Sequence, residues 1–502
     1  MTGVGLAGER LAGDGLAALE RQAAADLERI AYPRGAWVPA RQDGDGRRVL
    51  DVLVVGGGQG GVAIAHGLLR ARVDNFRIVD RAERGLEGPW LTYARMATLR
   101  SPKEVNGPDL DVPSLTFQAW FEAQHGAPAW AALNKIPKQD WAAYLLWLRR
   151  VLGIPVENRV ELRRVEPDGQ HLRATLVHLG DGRTETVAAR KLVLATGIEA
   201  SGRWWTPPAV EALDRRFWAH TGDAIDFAAL AGRRVAVLGA GASAFDNAAT
   251  ALEAGAAEVT VYCRRPDLQR VQPFKWLSFP GFLGHFVELD DAWRWRFMNH
   301  LLTLREAFPR ETWERAARHP AFRLETGAEW QRCEAVGDAV RLHTPKGQFE
   351  ADFLIVGTGF DIDLDARPEM AGVAGHVALW GDRYDPPAEE RNPRLARYPY
   401  LGPGYELLEK VPGAAPWLRH IRLFTYATTV SFGPSGASIN AMKFAAPRLV
   451  SAIVGDLFRE DVAAHWDSLR AYDLPEFLLP GETGEAAPVK PVVERQADGG
   501  FR

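Results

Sequence analysis

The sequence predicts an α/β fold with two parallel-sheet units, each built around a glycine turn, one inserted into the other. Three observations carry this reading. An apolar run, Val52 to Val55, ends in Gly56-Gly57-Gly58-Gln59-Gly60-Gly61; an apolar-periodic helix follows (Val62, Ile64, Ala65, Leu68, Leu69), then a second strand, Phe76 to Val79, ending in Asp80. The same order recurs in residues 233–249, where Gly239, Gly241 and Ala244 take the three small positions. Two further apolar runs, Lys191 to Ala195 and Asp352 to Val356, end in Thr196-Gly197 and Gly357-Thr358-Gly359 and bracket the second motif. Strand, glycine turn, helix and strand are the parts of a Rossmann-like dinucleotide-binding unit. The nesting has the chain leave the first unit near Thr196 and return near Gly357.

Each residue type in the first motif has a physical task. Gly56 allows a sharp turn, Gly58 leaves the backbone open to a pyrophosphate, and Gly61 lets helix and strand approach closely. The N-terminus of the helix offers unpaired N–H groups and a partial positive charge to phosphates. Asp80 can accept two hydrogen bonds from a ribose, which suits FAD. Gln59, Gly60, Arg81, Trp90, Thr196 and Gly197 complete the expected flavin-side contacts. In the second unit, Ala242 and Ser243 open the helix, and Gly359 belongs to the returning strand end. Here no acid follows the second strand; Cys263-Arg264-Arg265 stands there instead. An acid would repel a ribose 2′-phosphate and two arginines would bind it, so this unit is expected to take NADPH.

Composition narrows the class. At 502 residues, several domains are expected. Apolar residues make up 47% and charged residues 25%, an ordinary globular balance, and the net charge of −4 gives no reason to expect nucleic acid. No run of eighteen apolar residues suggests a membrane span, and the N-terminus lacks the basic start and apolar stretch of a secretory signal. The only cysteines are Cys263 and Cys333, which allow no disulfide framework and no CxxC relay, so a cytoplasmic location is expected. No metal site is expected.

Taken in order, residues 1–47 form an N-terminal extension with a helix over Leu16 to Ile30 and a loose first dozen residues. Residues 48–205 form the first part of the FAD unit, with strands over Val160 to Val165 and Leu172 to His178. The Pro-rich stretch 201–208 reads as a hinge. Residues 206–345 form the NADPH unit with a helical, aromatic-rich insertion over 271–330, and 346–480 the second part of the FAD unit, including a helix over Ile439 to Phe458. Residues 481–502 have the composition of a flexible tail.

Between residues 50 and 455 the motifs GGGQGG, Gly88-Pro89-Trp90, Ala-Thr-Gly, GAGASA with its arginines, and Gly-Thr-Gly-Phe fall in one order. In this the sequence resembles the class B single-component flavoprotein monooxygenases: flavin-containing monooxygenases, N-hydroxylating monooxygenases and Baeyer–Villiger monooxygenases. It departs from each subfamily. The Baeyer–Villiger fingerprint is broken, because Asp214 and Arg216 precede His220-Thr221. Ser101-Pro102-Lys103-Glu104 matches part of a flavin-containing monooxygenase motif, but Arg100 replaces its Asn. Thr98 to Pro102 and Pro273-Phe274 resemble N-hydroxylase segments, with Trp276 in place of an Asn.

The resemblance implies that NADPH reduces the flavin and that a flavin C4a-hydroperoxide then oxygenates a small nucleophilic substrate. N-hydroxylation of an amine is the leading expectation. S-oxidation, Baeyer–Villiger oxidation, and an NADPH oxidase or reductase without oxygen transfer are the alternatives, and a redox-sensing module is the non-enzymatic rival. The flavin carries the hard step, so few acid–base side chains are expected. Arg100 and Lys103 are candidates near flavin or substrate, or solvated charges. His220 is a hinge residue or a buried structural histidine. Trp90 covers a flavin edge or is a core aromatic. The turn over 433–438 points a helix start at the flavin or is a plain cap. The partners implied are a small-molecule substrate and O2, and the sequence leaves the oligomeric state open, a homo-oligomer included.

Overall fold

A computed structural model describes residues 5–434, 436, 438–477 and 479. The tail expected over 481–502 lies outside the described residues.

The first sheet is organised by Leu50–Val55, five of whose six residues are buried. It pairs in parallel with Phe76–Asp80 on one side and Thr184–Gly197 on the other. Val156–Asn158 extends the edge beside Phe76–Asp80. Thr184–Gly197 serves two partners in succession. Its outer half pairs antiparallel with His171–His178, which pairs in turn with Val160–Asp168. Its inner half pairs in parallel with Ile421–Thr425. The burial pattern follows: partly exposed along the antiparallel half, continuously buried along the parallel half.

The second sheet is wholly parallel, in the order Phe322–Thr326, Glu258–Cys263, Arg234–Leu238, Phe353–Val356, Trp218–His220. Sequence reading placed the start of the second FAD part at residue 346, ahead of Phe353–Val356. The structure moves that strand into the second sheet, in register with Val235 to Leu238. Four apolar residues ending in glycine look alike whichever sheet buries them, so the run alone could not choose. The antiparallel strands Arg332–Val336, Ala339–Thr344 and Gly347–Ala351 precede it.

The crossing between units is a two-stranded ribbon, Gly202–Trp204 against Phe360–Ile362. A Cβ at Gly202 would stand 1.9 Å from the Asp361 carbonyl oxygen, so only glycine permits this approach. Residues 202–204 of the stretch read as a hinge thus form one half of a paired crossing.

The aromatic segment forms Pro273–Trp276, Pro280–His285, Asp291–Leu304 and Arg310–Ala317. Leu277, Phe282, Phe286, Trp295 and Met298 join the core of the first unit, while Phe245, Val259 and Ala316 form a separate core in the second. Trp295 Nε1 and Asn299 Nδ2 both donate to the Glu390 carbonyl at 2.9 Å. The N-terminal helix runs over Gly5–Arg29, beginning well before Leu16. At Gly15 a Cβ would meet the Ala123 carbonyl oxygen at 2.2 Å, a contact that fits this helix against Phe117–His125. No helix among the described residues is long and apolar enough to cross a membrane.

Candidate dinucleotide sites

The first glycine turn is constrained everywhere except where a ligand would pass. Gly56 has φ +110°, and a Cβ there would lie 2.3 Å from the Ala195 carbonyl oxygen. At Gly57 a Cβ would meet Val156 Cγ1 at 2.5 Å. At Gly60 it would touch Phe424 at 3.2 Å. At Gly58 the nearest atom is the Gly88 nitrogen at 3.9 Å, and Gly58 is the N-cap of helix Gln59–Arg70. Open space in front of a helix N-terminus is what a pyrophosphate needs.

Asp80 ends the second strand and is buried. Its carboxylate accepts from Gly57 N–H and Ala82 N–H, each at 2.7 Å. Burial pushes its pKa upward against the pull of those two donors. Arg81 follows, exposed. A narrow cleft opens here, lined by Gly57, Gly58, Glu87, Trp90, Leu145 and Arg149 among others. Arg149 donates to Glu87 at 2.8 Å and to the Val156 carbonyl at 2.9 Å, fixing the wall. Trp90 meets Trp141 edge-on at 6.3 Å between centroids, and Trp141 Nε1 donates to Gln59 Oε1 at 3.3 Å. Trp90 is therefore both a buried aromatic and a wall of the cleft.

Thr196 and Gly197 close the central strand; Gly197 has φ +79° and pairs with Thr425. Sequence reading missed the strand Ile421–Thr425, although all five of its residues are buried. It brings Phe424 against Gly60 and Thr425 against Gly436, where a Cβ would come within 2.6 Å of backbone. The turn over 433–438 includes residues 435 and 437, which lie outside the described set.

The second turn repeats the logic. Gly239 has φ +122°, and its Cβ would lie 2.3 Å from the Gly357 carbonyl oxygen. Gly241 has nothing within 4 Å and caps helix Ala242–Glu253. Ala244 is buried against Gly357, and Ser243 is exposed at the helix start. Gly359, at φ +82°, accepts from Trp205 N–H at 3.0 Å.

The two arginines expected at this site have different surroundings. Arg265 donates to the carbonyls of Leu304 and Thr303 at 3.1 and 3.0 Å, capping helix Asp291–Leu304. Arg264 is exposed. His220 is buried; it stacks near Trp204 at 4.9 Å, and its Nδ1 accepts from Gly222 N–H at 3.1 Å. Burial lowers its pKa to about 4, so the ring is neutral near pH 7. Lys103 donates to the Trp130 carbonyl at 2.7 Å and lies over that ring at 4.7 Å. Arg100 pairs with Asp246 of the second unit at 2.9 Å. Its partner carried no signal in the sequence, because Asp246 lies 146 residues away.

Two nested units, each with an unobstructed glycine in front of a helix N-terminus, have the geometry of paired dinucleotide sites. The comparisons agree. Residues 50–275 match the pyridine nucleotide-disulphide oxidoreductase family. Solved structures of the same fold include an ornithine N-hydroxylase from Kutzneria sp. 744 (17% identity, 81% of this chain and 99% of that one, TM-score 0.62). Another is the L-lysine 6-monooxygenase of Pseudomonas syringae (19% identity, 80% and 99%, TM-score 0.60). The chain is 43% identical to the FAD-dependent urate hydroxylase of Xanthomonas campestris pv. campestris over 467 residues, covering 92% of this chain and 97% of that protein. It belongs to the family of that hydroxylase.

Proposed function

We propose that this protein uses NADPH to reduce bound FAD and hydroxylates urate or a closely related oxidised purine. The observation that carries the substrate is the 43% identity to a urate hydroxylase across nearly the full length of both chains. The open glycines and the arginine-bearing strand end support the two nucleotides. The balance is that of a monooxygenase: one atom of O2 enters the substrate, the other leaves as water, and NADPH supplies two electrons.

FAD, when bound, supplies electron transfer and oxygen activation. The chain supplies binding and orientation. Gly58 admits the pyrophosphate to the N-terminus of helix Gln59–Arg70, and Asp80 accepts from the ribose while its backbone donors hold it in place. Gly241 does the same for the second dinucleotide, and Arg264 offers a charge-assisted contact to the 2′-phosphate. His220, neutral, packs against Trp204 of the ribbon.

N-hydroxylation of an amine is the second reading, supported by the likeness of Thr98 to Pro102 to N-hydroxylase segments and opposed by Trp276. Oxygen uptake and NADPH oxidation, measured with urate and separately with ornithine, lysine and a diamine, decide between them. Urate should be consumed one for one with NADPH. Peroxide formation equal to NADPH consumption with every substrate would replace both readings with an oxidase.

A further inference from the structure

Among the described residues, several contacts from the segment 95–135 of the first unit reach the second, Arg95 lying over the Phe227 ring at 5.3 Å among them. Arg100 Nη2 meets Asp246 Oδ2 at 2.9 Å. Arg315 Nη1 donates to the Arg95 carbonyl at 2.7 Å. Lys135 pairs with Glu311. These last three engage the helices Ala242–Glu253 and Arg310–Ala317.

We infer that the Arg100–Asp246 pair is a latch that sets the angle between the two nucleotide units, making Arg100 a positioning residue for flavin reduction. This rests on the reading that the second unit carries NADPH. Asp246 stands on the helix that begins at Gly241, five residues from the expected phosphate site, and is only 2% exposed. Its other side-chain neighbours are weaker: Thr312 Oγ1 at 3.5 Å and Arg315 Nη1 at 3.9 Å. The chain on either side of Arg100 is anchored. Leu99 N–H bonds the Ile136 carbonyl at 2.8 Å, and Lys103 is tied to Trp130. A partly exposed cation on one unit thus meets a buried carboxylate on the phosphate helix of the other. A tilt of that helix moves the hydride donor, and a misplacement of about 1 Å costs up to about a hundredfold in rate.

The test is anaerobic stopped-flow reduction of the FAD-loaded enzyme by NADPH. Arg100→Gln and Asp246→Asn should each lower the limiting reduction rate about tenfold or more, with the NADPH Kd changed by less than about twofold. Reoxidation by O2 should be unchanged, and Arg100→Lys should recover part of the loss. Added salt should slow the wild type more than Arg100→Gln, because the variant has one fewer screened pair between the units. Small-angle scattering should show a wider spread of shapes in Arg100→Gln. Wild-type reduction rates in Arg100→Gln, or a loss confined to Kd, would overturn the latch. If NADPH fails to reduce the wild type, the functional reading falls first; scattering then judges the latch alone, and an unchanged spread in Arg100→Gln overturns it.

Discussion

A Cβ on Gly61 would stand 1.8 Å from the carbonyl oxygen of Gly56, whereas one on Gly58 would touch nothing within 3.8 Å. The two glycines therefore fail differently when replaced. Gly61→Ala forces helix Gln59–Arg70 off its strand and should lower the melting temperature of the apoprotein. Gly58→Ala is compatible with the apoprotein, since its φ of −73° suits any residue. Its methyl group occupies pyrophosphate space instead. That variant should purify folded and colourless; full FAD occupancy would show that the pyrophosphate does not pass over Gly58.

Arg264 and Arg265 should separate in the same way. Arg264→Ala removes an exposed cation and should raise the KM for NADPH about tenfold or more while leaving NADH nearly unchanged, the worth of one charge-assisted hydrogen bond. Arg265→Ala also uncaps helix Asp291–Leu304 and should lower stability by about 1 kcal/mol, read as a shift in urea midpoint. Equal losses with NADPH and NADH in Arg264→Ala would reject the 2′-phosphate contact.

Three buried histidines make the fold acid-sensitive. Burial lowers His66, His220 and His420 from about 6.5 to about 4 each. The unfolded chain binds protons at these sites between pH 6.5 and 4, and the folded chain does not. Their contribution is thus fully present above pH 6.5 and is lost as pH falls toward 4. Thermal melts should show a falling midpoint across that window, and His66→Gln should flatten part of the fall. A midpoint constant from pH 7 to 4.5 would contradict the burial of these rings.

The end of helix Ile439–Glu460 is tied to the first sheet by buried charge. Arg190, 1% exposed, donates to Asp461 at 2.8 Å and to Glu460 at 3.0 Å, and Arg41 also binds Asp461. Asp461→Ala leaves a buried guanidinium short of a partner and should cost about 3–5 kcal/mol in denaturant unfolding. The FAD:protein ratio at low temperature should stay near the wild-type value, because this network belongs to the far end of the helix.

What the sequence determined by itself is what short-range chemistry carries. Within each motif the glycine turn, the helix it opens and the strands before and after it, with Asp80 in the first, lie within about thirty residues, and each demands a residue type by sterics or charge. Gly56, Gly58, Gly61, Gly239 and Gly241 were legible for that reason. The tertiary structure decided what depends on distant partners. It placed Phe353–Val356 in the second sheet, brought the unrecognised strand Ile421–Thr425 to Gly60, and paired Gly202–Trp204 with Phe360–Ile362. It also spent Arg265 on a helix cap and joined Arg100 to Asp246. An apolar strand carries no mark of which sheet will bury it, and a surface cation carries no mark of which carboxylate will reach it. Both are settled by packing among residues more than a hundred positions apart.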